Sequence, residues 1–280
     1  MSWDVMLLVL LGAALHASWN AVVKSSPDKF MDTVLVAAGA AVLAVVALPF
    51  LPVPAAPSWP YGVVSGILHL AYFALVAAAY RTGDMSVVYP LMRGTAPLIV
   101  AIVGAFFLGE HLSPGGWTGI LLISGGVLGL ALLSRRLPQA GIGPVAFALA
   151  NAVVIASYTF SDALGARLSG HPVSYTLWIL CLPALPLVLW AGLRQPRAFR
   201  AHLAQRWSLG LLGGACSLGA YALALWAVTK APIATVAALR ETSILFGVAL
   251  AAFLLKERVG RERVAAAFAV AAGAVALKLA

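Results

Sequence analysis

The sequence predicts an all-α polytopic membrane protein with ten transmembrane helices, arranged as two inverted five-helix repeats. Three observations support this fold class: the composition, the length of the apolar runs and an internal repeat. Hydrophobic residues make up 62% of the 280 residues and charged residues only 10%, whereas soluble domains average about 45–50% and about 25%. A soluble domain of this size cannot bury so much apolar surface, so lipid must solvate much of it.

Ten apolar runs approach the length that a bilayer requires, which is about 20 residues with a range of roughly 17–25. The runs cover 5–23, 32–50, 61–80, 85–108, 116–134, 142–162, 173–193, 207–228, 232–255 and 262–279. Short segments rich in charge or turn residues separate them, such as 25–29 and 81–84. Almost nothing remains for an aqueous domain, so we expect a multi-pass protein whose main surroundings are the lipid bilayer.

The end of each half of the chain repeats when the sequence is shifted by 147 residues. The matched pairs are Arg93 with Arg240, Thr95 with Thr242, Leu98 with Leu245, Ala105 with Ala252, Phe106 with Phe253, Leu108 with Leu255, and Glu110 with Glu257. We therefore predict a first repeat at 1–137 and a second at 138–280. Five spans in each repeat place the two repeats in opposite orientations. Such inverted repeats are typical of secondary transporters, which bind substrate near the midplane between the repeats.

The basic residues lie mainly in the loops that follow odd-numbered spans. These loops hold 13 of the 18 Lys and Arg residues, namely Lys24, Lys29, Arg81, Arg135, Arg136, Arg194, Arg197, Arg200, Arg206, Lys256, Arg258, Arg261 and Arg263. Because basic loops stay in the cytoplasm, this bias predicts cytoplasmic odd-numbered loops and both termini outside. The same distribution accounts for the net charge of +9 without a nucleic-acid-binding surface.

Three segments carry a family resemblance. They are FFLGEHLSP at 106–114 with WTGILLISGGV at 117–127, the second copy FLLKERV at 253–259 with AAG at 271–273, and LHASWNAVVK at 15–24. Over essentially the whole chain the sequence resembles the EamA-type branch of the drug/metabolite transporter superfamily, although the second copy lacks the Pro and the Gly-rich stretch. The resemblance implies ten helices, two five-helix repeats, a central cavity and transport, often export, of amino acids and related metabolites.

Three charged residues fall deep within predicted spans. Arg93 and Arg240 are equivalent residues, each roughly 12 Å along its helix, and charges at that depth are functional by default. One or both would bind a substrate carboxylate or phosphate; the alternative is a structural pair with Glu241 or with backbone carbonyls. Glu241 is predicted to be the only deep carboxylate, either a proton site or a static counter-ion.

The remaining carboxylates are predicted at span ends, including Asp84, Asp162, Glu110 and Glu257. For Glu110 and Glu257 we expect a structural role, capping the helices that follow them. Other polar and aromatic residues are candidates for the cavity wall, with interhelical hydrogen bonding or packing as the alternative for each. They are His16, Trp19, Asn20, His69, Tyr72, Tyr89, Tyr158 and Tyr221.

Nothing in the sequence indicates catalysis, a metal or a cofactor. It contains no nucleophile elbow, zinc-protease motif, P-loop or Cys-x-x-Cys pattern, and Cys181 and Cys216 each fall inside a predicted span. We therefore predict a secondary transporter, not an enzyme. It would export amino acids or related small metabolites across a bacterial cytoplasmic (inner) membrane through a cavity between the repeats.

Other functions stay open at this stage. An importer or exchanger of sugars or phosphorylated metabolites and a lipid flippase are the alternatives, and a membrane enzyme would need a polar catalytic cluster in an interfacial loop. The expected partner is a small molecule that is zwitterionic or weakly hydrophobic, and no nucleic acid. Oligomeric state, transport direction and coupling ion stay undetermined, and a monomer is compatible with the sequence.

Overall fold

The computed structural model describes residues 1–134, 141–253 and 260–280. Within those ranges the chain forms eleven α-helices and no β-strand. The helices are α1 (Trp3–Lys24), α2 (Lys29–Ala47), α3 (Trp59–Thr82), α4 (Met85–Phe107), α5 (Pro114–Leu132), α6 (Ile142–Leu168), α7 (Pro172–Arg194), α8 (Pro196–Ala227), α9 (Ile233–Arg240), α10 (Ser243–Phe253) and α11 (Arg261–Leu279). Two short 3₁₀ turns, Leu48–Phe50 and Ala56–Ser58, lie between α2 and α3.

The helices confirm the prediction of an all-α polytopic membrane fold. Nine segments of the described chain are long and apolar enough to cross a bilayer, the ninth being Ile233–Leu250, which runs through α9 and α10. The tenth predicted span coincides with α11, which is 19 residues long. Its charges, Arg261, Glu262, Arg263 and Lys278, all lie near its two ends, where they reach the membrane surface.

The helices of the two halves exchange contacts pairwise. In the first half α1 packs on α8 and α10, and in the second half α6 packs on α3 and α4. The helices α2 and α7, α4 and α9, and α5 and α11 each contact their own counterpart across the molecule. These contacts follow an approximate two-fold relation, which the odd number of spans in each half requires.

Two helix boundaries differ from the prediction. The helix α6 continues to Leu168 and not to 162, since a break comes only at Ser169 and at Gly170, whose φ of 70° ends the turn. The helix α8 begins at Pro196, eleven residues before the predicted span, because Pro at the first helical position favours a helix start. The first change moves Asp162 away from a helix end and into the bundle.

Glycines allow two helix pairs of the described chain to touch at backbone distance. A Cβ at Gly39 of α2 would lie 2.4 Å from the carbonyl oxygen of Gly210 in α8, and one at Gly273 of α11 would lie 2.7 Å from that of Gly119 in α5. Large apolar side chains face outward instead, for example Phe106 and Phe107, each 80% exposed. Lipid is the medium that makes such a surface stable.

Some predictions fall outside the described residues. The predicted boundary between the repeats, 137/138, lies in 135–140, and the expected capping role of Glu257 lies in 254–259. Both stay predictions.

Candidate functional site

The site at the centre of the molecule begins with an ion pair between the two halves. The Nη2 of Arg93, on α4, lies 2.7 Å from Oε1 of Glu241, and its Nε donates to Oε2 over 3.1 Å. Both residues are buried, with 9% and 4% of their surfaces exposed. This bidentate geometry pairs the two buried charges, so Arg93 is neutralised in this conformation.

A break in the ninth span presents Glu241 to Arg93. The helix α9 ends at Arg240, and Glu241 is its C-cap residue. Short-range bonds replace the regular helix there, including Ile244 N–H to the Glu241 carbonyl over 3.0 Å and the Thr242 hydroxyl to the Leu239 carbonyl over 2.6 Å. Discontinuous helices at the midplane are a recurrent way to build transport sites.

Arg240 has a different environment from its repeat partner. Its guanidinium carbon lies 5.1 Å from the ring centroid of Tyr221, a cation–π distance, and within the described residues it forms no salt bridge. The internal repeat explains the asymmetry, since the residue aligned with Glu241 in the first half is Gly94. The site therefore holds two arginines and one carboxylate, which pairs with Arg93, so the charge of Arg240 stays unpaired within the described residues.

Two adjoining cavities lie beside these charges. Together with the space that opens to the surroundings, the larger measures about 300 Å³ and the smaller about 260 Å³. Both are lined by Thr159, Ala237 and Arg240. The walls of the larger cavity also include Arg93, Glu241, Tyr158, Ile155, Ala96, Pro97 and Val100. The walls of the two cavities thus combine charged, hydroxyl-bearing and apolar side chains.

Aromatic rings and one histidine form a layer next to the cavities. His69 of α3 stacks on Tyr158 of α6 at 4.3 Å between centroids and meets the edge of Tyr221 at 6.2 Å. Tyr72 packs edge-on against Tyr158 at 6.0 Å. The Tyr221 hydroxyl donates a hydrogen bond to Asp162. Tyr221 thus connects the cavity with a buried carboxyl.

The structure brings five of the eleven predicted site residues to the cavity walls, namely Arg93, Arg240, Glu241, Tyr158 and Tyr221. The others lie behind these walls or farther along the helices. Trp19 donates its indole N–H to His16 Nδ1 over 3.3 Å, and the Asn20 amide donates to the His16 carbonyl over 2.8 Å. Tyr89 is half-buried on α4, near Arg93. Substrate contact by any of these residues stays a prediction.

The prediction that Glu241 is the only deep carboxylate is wrong. Asp162 is fully buried inside α6, six residues before that helix ends. Asp32 is also buried, at 2% exposed, but it lies at a span end, in the first turn of α2. It accepts from Arg206 at 2.6 Å and lies 2.6 Å from His202 Nε2. The uncharged residues 163–166 that follow Asp162 were a usable signal that the helix continues past it. The Asp32 cluster had none, because its partners are 170 or more residues away.

Glu110 caps a helix, but not the one predicted. Its carboxylate accepts from the backbone N–H groups of Ile233 at 2.9 Å and Ala234 at 3.4 Å, at the start of α9 in the other half. It also pairs with Arg167 at 3.1 Å. The following helix, α5, is capped by Ser113, whose Oγ accepts from Gly116 N–H over 3.1 Å. Because Ser113 already caps α5, the Glu110 carboxylate is available to cap α9 in the opposite half.

The comparisons with known proteins agree with this architecture. The model of the EamA-like transporter family matches residues 3–132 and 142–279. A solved crystal structure has the same fold, with a TM-score of 0.75 and 17% sequence identity over 100% of this chain and 98% of that chain. The spermidine export protein MdtI of Salmonella paratyphi B and of Salmonella newport is 32% identical over 68 residues. That match spans 24% of this chain and 62% of the relative's length.

Proposed function

Because the chain belongs to the EamA-like transporter family, we propose that it exports amino acids or related small zwitterionic metabolites across a bacterial cytoplasmic membrane. Membership makes it a multi-pass membrane transporter, whereas the substrate, the direction and the membrane are parts of the proposal. The proposed path is the space between the two halves, where the larger cavity lies, and the smaller cavity adjoins it within the second half, between α6, α8 and α9.

The observation that supports this substrate class is the charge count of the site. Arg93 and Glu241 neutralise each other, so Arg240 gives the site a net charge of one positive unit. A single carboxylate would balance that charge with two parallel hydrogen bonds to the guanidinium fork. A sugar phosphate brings two negative charges, for which the described walls offer no second unpaired cation.

The apolar part of the larger cavity fits a weakly hydrophobic side chain. Ala96, Pro97, Val100 and Ile155 line it next to the Tyr158 ring, and pockets for small ligands combine such walls with a few polar groups. The match to the spermidine exporters covers only 24% of this chain. A polyamine would meet the positive charge of Arg240 in the cavity, which makes it the weaker candidate.

The test is flux through the purified protein in lipid vesicles. Labelled L-leucine, L-threonine, spermidine and glucose 6-phosphate would be compared in wild type, Arg240→Gln and Arg240→Lys. We expect flux of an amino acid that falls about 100-fold in Arg240→Gln, since hydrogen bonds to charged groups contribute about 1.5–3 kcal/mol each. Arg240→Lys should show little more flux than Arg240→Gln, because lysine lacks the planar guanidinium fork.

Arg197→Gln is the matched control, since it removes a guanidinium that is exposed at the start of α8. Equal flux in wild type and Arg240→Gln would remove Arg240 from the site. Transport of spermidine or of the sugar phosphate alone would overturn the proposed substrate class while leaving the transporter assignment intact.

A further inference from the structure

Three carboxyl groups are buried inside the described part of the bundle, and two of them are neutralised. Glu241 is paired with Arg93, and Asp32 is paired with Arg206 and His202. Asp162 is 0% exposed and forms no salt bridge within the described residues. It is therefore the one buried carboxyl there whose charge has no partner in contact.

The hydrogen bonding of Asp162 is also incomplete. Its Oδ2 accepts a hydrogen bond from the Tyr221 hydroxyl of α8, while Oδ1 has no hydrogen-bond partner and is inaccessible to solvent. The Ser65 hydroxyl of α3 also lies near this carboxyl but is 3.2 Å from His69 Nδ1. The titratable or charged groups that face it come from every neighbouring helix: His69 from α3, Tyr175 from α7, Tyr221 from α8, Arg240 from α9 and Tyr158 from its own helix. The Tyr175 hydroxyl is likewise buried without a partner.

An ionised carboxylate without a partner is unstable in such surroundings. An ionised aspartate that is buried in the membrane without a counter-charge carries a free-energy penalty. Two kinds of ligand remove the penalty: a proton on the carboxylate, or a cationic group in contact with it. A cluster of this composition therefore binds one or the other, and the two exclude each other.

Tyr221 connects this carboxyl with the cavity. Its ring faces the Arg240 guanidinium at 5.1 Å, it lines the smaller cavity, and its hydroxyl reaches Asp162. Arg240 and Asp162 thus contact the ring face and the hydroxyl of the same tyrosine, so a positive and a negative group lie on either side of it. A rotation of Tyr221 would open Asp162 to a molecule already held at Arg240.

We propose that Asp162 is the coupling site, where a proton and the ammonium group of the substrate compete for one carboxylate. This inference rests on the proposed function, since it takes a substrate with a carboxylate for Arg240 and an ammonium for Asp162. Substrate binding from one side displaces the proton from the carboxyl, and proton binding from the other side displaces the substrate. One proton is thus exchanged for one substrate, so an inward proton gradient drives export of the substrate.

The first experiment measures the carboxyl directly, without transport. Infrared difference spectra of the wild-type protein in lipid nanodiscs should show the carbonyl stretch of a protonated, buried carboxylic acid. That band should be absent from Asp162→Asn and present in Asp4→Asn, the control in which the lost carboxyl is exposed at the start of α1.

The second experiment adds L-leucine and L-threonine to the same samples in weakly buffered solution with a pH-sensitive dye. Wild type and Asp4→Asn should lose the band and release one proton per bound amino acid, while Asp162→Asn should release none. In vesicles Asp162→Asn should lose amino-acid exchange between equal pools as well as the acceleration by an imposed proton gradient, whereas Asp4→Asn should retain both.

The outcomes separate the two proposals. A wild-type protein that moves neither amino acid overturns the proposed function and this inference with it, whatever the spectra show. Amino-acid flux without proton release, or release that persists in Asp162→Asn, overturns the coupling site alone. Release that survives in Asp162→Asn but is lost in His69→Gln would assign the proton to the imidazole and equally contradict the inference.

Discussion

The buried pair of Arg93 and Glu241 allows a quantitative test of the central contact between the halves. Removing one partner of a buried ion pair typically destabilises by about 3–5 kcal/mol, because it leaves an uncompensated charge, whereas replacing both by apolar residues of similar volume is often neutral. The variants are Arg93→Met, Glu241→Leu and the double variant. We expect both single variants to be destabilised and the double variant to recover most of the loss.

The two single variants should not be equal. Arg93→Met leaves Glu241 close to Arg240, which offers a second cation, whereas Glu241→Leu leaves two guanidinium groups with no carboxylate between them. Glu241→Leu should therefore show the larger loss. For chains somewhat shorter than this one, about 2–4 °C accompanies each kcal/mol, so a loss of about 3–5 kcal/mol predicts a shift of roughly 6–20 °C.

The assay is the temperature at which half of the detergent-solubilised protein loses its monodisperse peak after heating. Glu262→Gln, at an exposed position at the start of α11, is the control for loss of a carboxylate. Wild-type stability in Glu241→Leu would refute the pairing. A double variant no more stable than Glu241→Leu would refute the mutual neutralisation, since the double-mutant cycle would then show no coupling.

Three further predictions concern capping, packing and orientation. Glu110→Ala removes the acceptor for two N–H groups of α9. Hydrogen exchange at Ile233 and Ala234 should accelerate roughly 5- to 30-fold, which corresponds to about 1–2 kcal/mol of lost stabilisation of the helix start. Unchanged exchange would contradict the cap. Gly273→Leu should lower the midpoint temperature of unfolding, since its Cβ would lie 2.7 Å from the Gly119 carbonyl oxygen. Gly125→Leu should not lower it, since nothing lies within 4 Å of a Cβ at that position. Equal midpoints in the two variants would contradict the close packing. A cysteine in place of Gln205 should resist a membrane-impermeant maleimide in intact cells and react after permeabilisation; labelling of intact cells would reverse the orientation.

Local patterns in the sequence were sufficient for the transmembrane architecture. Hydrophobic run length depends only on neighbouring residues, so nine of the ten predicted spans match segments that are long and apolar enough to cross a bilayer, and the tenth matches α11. Family membership was likewise predictable from three short segments, and the family model matches both halves. The break at Glu241 was not predictable, because the run from 232 to 255 contains no proline after its first residue and only one glycine, Gly247, beyond the break.

The partners of the buried charges depended on the tertiary structure. Repeat symmetry predicted that Arg93 and Arg240 are equivalent, but which of them meets Glu241 is decided by how α4 and α9 face each other across the two halves. The same holds for Glu110, which lies beside α5 in sequence and caps α9 in space, and for Asp162, whose partner Tyr221 is 59 residues away. Hydrophobicity along one chain determines which segments enter the membrane, whereas the pairing of charges there depends on the rotation of each helix about its own axis, which only packing against its neighbours determines.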